Sequence, residues 1–334
     1  MELFKPVISN DKQHFIFKAL MQSENAPERE VLLNWVNGFK DRDNKFIQEF
    51  QSTFESSMWE LYSYAALKEI GIAVDMDNQS PDFLCSTNES KFCIEATIAA
   101  PEEDGIPPYG DGLPNIMPNG PDEFNRDAIV RICNSISSKH TKYVDSYSKL
   151  NHIVNKPFVL ALAPFNQPGS HFSANVPIIA ALYGVYNCES LSIIFNIDYP
   201  VCIKINAIKK RNGAVIPLGY FESNKYDEIS AIFYNPLATW GKIRALANNK
   251  DKRLQFVTMH HHGNAGMKPV FKTSENENYS EHLLDGLYIF HNPYAKYPLP
   301  LETFRNKHVA QYYWDNSESK ADIPENFLLT RRVD

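Results

Sequence analysis

Basic residues are in deficit in this 334-residue chain: 33 Lys and Arg stand against 40 Asp and Glu, a formal net charge of −7. Such a balance provides no general positive field for nucleic acid, so any contact of that kind has to be local. Cysteine is scarce as well. Cys85, Cys93, Cys133, Cys188 and Cys202 form no CxxC pair and several lie in apolar runs, which argues against a structural zinc site and fits reduced core thiols. No apolar stretch is long enough to span a bilayer, and the start does not read as a signal peptide. The expectation is a cytoplasmic protein without membrane association. What is abundant is core material. Hydrophobic residues make up 43% of the chain, enough for one large domain or two ordinary ones.

Three carboxylates stand where burial disfavours them. Residues Met58 to Leu67 carry apolar and aromatic side chains on every side at helical spacing, the pattern of a helix buried all round, and Glu60 lies among them. A carboxylate in that setting needs a partner. Phe92 to Ala100, FCIEATIAA, reads as a strand covered on both faces and interrupted by Glu95. Asp82 follows Pro81 at the start of a shorter strand that ends at Ser86, and the linking TNES suits a tight hairpin. If Asn88 and Glu89 form the turn, Asp82 faces Glu95, where like charges repel and a cation between them would relieve the cost. Asn-Glu is not a favoured turn pair, which leaves a longer turn and a slipped register open. Alternation sends Glu95 and Thr97 to one face.

Further along, Asp122 is placed to N-cap a long helix from about Glu123 to Leu150. Ile129, Ile132, Ile136, Lys139 and Tyr143 follow a three-four spacing on it, so Lys139 takes an inward position while Lys142 lies on a neighbouring face. Either the Lys139 stem packs and its ammonium snorkels to the helix edge, or the charge serves the acids. Pro157 to Phe165 reads as a buried strand, Val176 to Tyr186 as a helix and LSIIFNI (191–197) as another strand. Pro101 to Pro121 is rich in Pro and Gly and too long for an ordinary connection: a loop beside the site, or a segment without fixed structure.

A helix carrying Glu60, a strand, a Pro-Asp hairpin and then Glu-Ala-Thr resembles the PD-(D/E)XK nuclease superfamily over about the first half of the chain. The resemblance implies an α/β (α+β) fold with a restriction-endonuclease-like core, a central mixed sheet flanked by helices. It implies Mg²⁺ (or Mn²⁺) held by Asp82, Glu95 and the Ala96 carbonyl, with Glu60 assisting through water. Thr97 occupies the position where the superfamily carries a lysine. Displacement of that lysine onto the following helix occurs within the superfamily, and Lys139 is the candidate in this chain. The catalytic set implied is Glu60, Asp82, Glu95 and Lys139, acting on nucleic acid and on DNA first. Cutting both strands would call for a homodimer, since one site cuts one strand.

Three regions follow: a helical extension over 1–49, containing an amphipathic helix from Glu28 to Phe39 that ends near the charged KDRDNK; the nuclease-like core over 50–198; and a mainly β region over 199–334 packed on it. In the last region AIFYNPLA and YIFHNPYA both run from a strand into Asn-Pro, which reads as a repeated strand exit or as a shared ligand-binding corner. Lys209, Lys210 and Arg211, and Lys250, Lys252 and Arg253, read as solvated turns. Alternation splits His260 and His262 from His261, so a polar strand end is expected there rather than a metal site. Two other functions are compatible with the sequence. One is an inactive nuclease-fold module that binds nucleic acid or a protein partner; the other is an unrelated α+β protein with a small-molecule pocket.

Overall fold

The N-terminal part folds as helices α1 (Phe15–Leu20), α2 (Ala26–Trp35), α3 (Phe46–Ser52) and α4 (Phe54–Ile70) in the computed structural model, which describes every residue except 104, 110–116, 118, 189–190, 192–193, 195–200, 263–267 and 317. The all-round apolar segment is α4, where Trp59, Leu61, Tyr62, Ala66 and Leu67 are fully buried. Gly71 ends it at φ 90°, a left-handed turn that a side chain would resist. Trp59 Nε1 donates to the Ala161 carbonyl at 3.0 Å, pinning the helix to the middle of the sheet.

That sheet begins as a meander of β1 (Ala73–Asp75), β2 (Phe83–Ser86) and β3 (Lys91–Ile98), joined antiparallel. Helix α5 (Pro121–Asp145) then crosses over to β4 (Phe158–Ala163), which lies parallel to β3. Helix α6 (Val176–Tyr183) and the small pairs β5 (Val185–Cys188) with β6 (Val201–Lys204) and β7 (Ala207–Lys209) with β8 (Val215–Pro217) precede β9 (Ile229–Tyr234), parallel to β4. After α7 (Trp240–Leu246), strands β10 (Gln255–His260), β11 (Val270–Glu275) and β15 (Leu328–Val333) form a separate three-stranded sheet. Strands β12 (Leu287–His291), β13 (Val309–Asp315) and β14 (Glu318–Asp322) complete the main sheet, in the order β1-β2-β3-β4-β9-β12-β13-β14. The fold is therefore mixed α/β with one large mixed sheet between helices. The sheet continues across residue 198, because the buried run of β9 pairs with β4.

Strand alternation divides the core in two. Val159, Ala161 and Ala163 of β4 face α4 and the N-terminal helices, while Phe158, Leu160 and Leu162 face α5 and α6. Cys85, Cys93, Cys133 and Cys188 are buried and Cys202 is exposed.

Several expected boundaries move. The α5 N-cap is Gly120, because Pro121 supplies the fixed φ suited to the first helical position; Asp122 falls in the first turn. Helix α6 stops at Tyr183 because Gly184 takes the left-handed cap, and the residues after it turn into β5. Of the expected strand at 191–197, Leu191 and Ile194 are helical and the other residues fall outside the described ones, as do 104, 110–116 and 118 of the 101–121 segment. Because β9 and β12 run antiparallel, Asn235 and Asn292 leave opposite ends of the sheet, which rules out a shared Asn-Pro corner. Each Asn side chain accepts from the N–H two residues on, a local turn device.

Candidate functional site

The hairpin register decides which acids meet. Phe83 pairs with Ile94 and Ser86 with Lys91, which leaves Asn88 and Glu89 as the turn and sets Asp82 opposite Glu95. The turn is held locally: Thr87 N–H donates to the Ser90 carbonyl at 2.9 Å, and Thr87 Oγ1 accepts from the Glu89 and Ser90 amides at 3.2 and 3.0 Å. These bonds make up for an unfavoured turn pair. Asp82 stands just before β2 begins, where Ala96 has only Pro81 opposite it. Asp82 Oδ2 fills that gap by accepting from the Ala96 N–H at 2.7 Å.

Asp82 and Glu60 share a cation that sequence reasoning missed. Arg42 Nη2 donates to Asp82 Oδ1 at 2.7 Å and to Glu60 Oε1 at 2.9 Å. Its Nη1 points at the carbonyls of Asn78, Gln79, Pro81 and Asp82, at 3.5, 3.3, 3.3 and 3.1 Å. Arg42 lies in the KDRDNK run, which read as a charged helix end; a buried acid without a local partner was the available signal. Burial, then the charge of Asp82, pushes the Glu60 carboxyl up to about 8 against the pull of Arg42. Burial and the charge of Glu95 raise Asp82 as well.

Glu95 lies on the α5 side of β3, as the burial of Cys93 and Ala99 in the same core layer requires, and Thr97 follows it there. Its side chain is 4% exposed. Glu95 Oε1 accepts from Lys139 Nζ at 2.6 Å, Tyr147 OH at 3.1 Å and Lys142 Nζ at 3.3 Å. Lys139 thus does turn inward, and Lys142 reaches the same oxygen. Lys142 arrives from the neighbouring face with its Nζ over the Tyr147 ring, 4.8 Å from the centroid. The Tyr147 hydroxyl is held up by burial. Behind this group, Ser135 and Arg131 bond the carbonyls of Ile98, Ala100 and Pro101, fastening α5 to the end of β3.

No protein-family model, curated protein or solved structure matches this chain. The chemistry therefore rests on the arrangement itself. Among the described residues, no group of three or more His, Cys, Asp or Glu side chains is arranged to hold a metal ion. Asp82 and Glu95 bring two such side chains together beside the Ala96 backbone, and hard oxygen donors of this kind suit Mg²⁺ or Mn²⁺. Their charge is met by Arg42 on one side and by Lys139 and Lys142 on the other.

The other charged features stay apart. His260 bonds the Asn326 carbonyl and Thr258 Oγ1, a polar strand end. Arg211 pairs with Asp127 of α5 and Arg253 with Asp251. No described helix is long and apolar enough to cross a membrane.

Proposed function

We propose that this chain is a Mg²⁺- or Mn²⁺-dependent nuclease that hydrolyses phosphodiester bonds, with DNA as the first substrate to test. The observation that carries the reading is the position of Asp82, which continues the hairpin register toward Glu95 and bonds the adjoining Ala96 N–H, between a helix acid and a lysine-bearing helix. Further support comes from element order. A helix, a three-stranded meander, a crossover helix and a parallel strand follow one another in α4, β1 to β3, α5 and β4, the arrangement that the PD-(D/E)XK resemblance implies for a restriction-endonuclease-like core.

Asp82 and Glu95 would hold the cation with the Ala96 carbonyl. A bound divalent ion supplies polarisation of the phosphate and a hydroxide at neutral pH. Glu60, kept protonated by its surroundings near neutrality, can donate or relay a proton beside Asp82. Lys139 supplies the positive charge that Thr97 lacks and can orient a water or offset charge on the phosphate. Lys142, half exposed, is free to swing toward a phosphate while Lys139 stays on Glu95.

One observation favours the reading of a binding module that does not cut: Arg42 and the two lysines already neutralise the acids. Nicking of supercoiled plasmid with and without Mg²⁺ separates the two. Cleavage by the wild type, lost in Asp82→Ala and Glu95→Ala together with the heat of Mn²⁺ titration, is expected. Salt-sensitive DNA binding without nicking would transfer the assignment to the module. Mn²⁺ binding unchanged in both variants would remove the metal site.

A further inference from the structure

Arg42 sits in a cradle made entirely of oxygen. Glu60 Oε1, Asp82 Oδ1 and the carbonyls of Asn78, Gln79, Pro81 and Asp82 surround its two terminal nitrogens, and its side chain is 14% exposed. Among the described residues it is the only base paired with either acid. Carboxylate and carbonyl oxygens gathered round one positive centre are also the ligands that a hard cation selects. The guanidinium is delivered by residues 40–45, the second part of the connection between α2 and α3, which carries no helix or strand. A second contact ties this connection to the same segment, since Lys40 pairs with Asp77. Its far end is fixed by Asp41 Oδ1, which accepts from the Lys45 and Phe46 amides at 3.1 and 3.2 Å.

We infer that Arg42 is a built-in counter-cation for Asp82, and that a divalent ion binds Asp82 only as the Arg42 arm is released from it. The inference rests on the metal-site reading above and adds its regulation. The physical reason is charge. A guanidinium and a divalent ion on the same carboxylate would stand within about 5 Å and repel, in a setting too enclosed for water to screen them fully. Without the ion, the guanidinium balances the Asp82 carboxylate and donates to the Glu60 carboxyl beside it. The 40–45 connection therefore latches the site in the metal-free protein and opens as the metal enters.

The test uses the full chain. Mn²⁺ is titrated calorimetrically into wild type and Arg42→Gln, with thermal melting as the folding control. Arg42→Gln removes the competitor, and its affinity for Mn²⁺ is expected to rise about 10- to 100-fold, the equivalent of one charge-assisted hydrogen bond. In the wild type, the Arg42 side-chain N–H resonances are expected to move when Mg²⁺ is added. This second readout decides the question if Arg42→Gln does not fold. Equal or weaker Mn²⁺ binding in the variant, or Arg42 resonances that stay in place under Mg²⁺ saturation, would overturn the latch and leave the metal site standing. Absence of Mn²⁺ binding in both proteins would overturn the metal site and the latch together.

Discussion

Lys139 and Lys142 converge on one buried oxygen of Glu95, and their unequal geometry makes their removal informative. Lys139 Nζ lies at 2.6 Å with a side chain 22% exposed, whereas Lys142 Nζ lies at 3.3 Å and is 50% exposed. A hydrogen bond to a charged group contributes about 1.5–3 kcal/mol, and stranding a buried charge costs about 3–5 kcal/mol. Lys139→Met leaves Lys142 and Tyr147 on the carboxylate, so its cost should lie near the lower range, about 1.5–3 kcal/mol. Lys142→Met removes a solvent-screened partner and should cost less than about 1 kcal/mol. The double variant strands Glu95 with a tyrosine hydroxyl alone and should lose about 3–5 kcal/mol, more than the sum of the singles because each lysine covers for the other. Urea unfolding at neutral pH, followed by tryptophan fluorescence, measures all three. Equal losses in the two single variants, or a double variant that is merely additive, would refute the shared-oxygen account. Cleavage per folded molecule gives the functional half. Lys139→Met is expected to lower it about 10²–10⁴-fold with Mn²⁺ binding preserved, and Thr97→Lys added to it should restore part of the loss. If the wild type cuts and Lys139→Met cuts equally well, the displaced-lysine assignment is wrong.

Glu60 gives a pH signature. Its carboxyl titrates near 8 in the fold against an ordinary value of 4.5, so the native state holds its proton more tightly than the unfolded chain does. That contribution is fully present below about 4.5 and is lost as pH rises through about 8. Glu60→Gln, which stays neutral, should therefore gain stability relative to wild type between pH 5 and 9, by about a few kcal/mol, in melts taken across that range; a constant difference would contradict the shift. Elsewhere in the fold, Glu281 lies between Lys242 and Arg331, all three side chains at most 1% exposed. Glu281→Gln leaves two buried cations facing a neutral amide and should cost about 3–5 kcal/mol in urea unfolding. A loss below about 1 kcal/mol would show that the carbonyls around Lys242 and Arg331 carry the charge by themselves.

Sequence alone determined what repeats at short range. All-round apolar spacing marked α4 as a buried helix, and alternation placed Glu95 and Thr97 on one face of β3. The three-four stripe turned Lys139 inward, whereas the placement of Asp82 toward Glu95 hung on a turn that the sequence left open and the hairpin register decided. The helix, strand and stripe readings each follow from a fixed period, 3.6 residues in a helix or 2 in a strand, which tells a side chain which way to point. Only the tertiary structure decided what each side chain meets there. Arg42 reaches Asp82 across 40 residues of chain and Tyr147 reaches Glu95 across 52. Lys142 arrives from the face that helical spacing assigned elsewhere, because a long flexible side chain can carry its ammonium over the Tyr147 ring to Glu95. The pairing of β9 with β4, which carries the sheet into the C-terminal half, is likewise invisible to any local period. A buried carboxylate announces in sequence that it requires a partner, since burying a bare charge is prohibitive; which partner answers is settled by the approach of segments far apart in the chain.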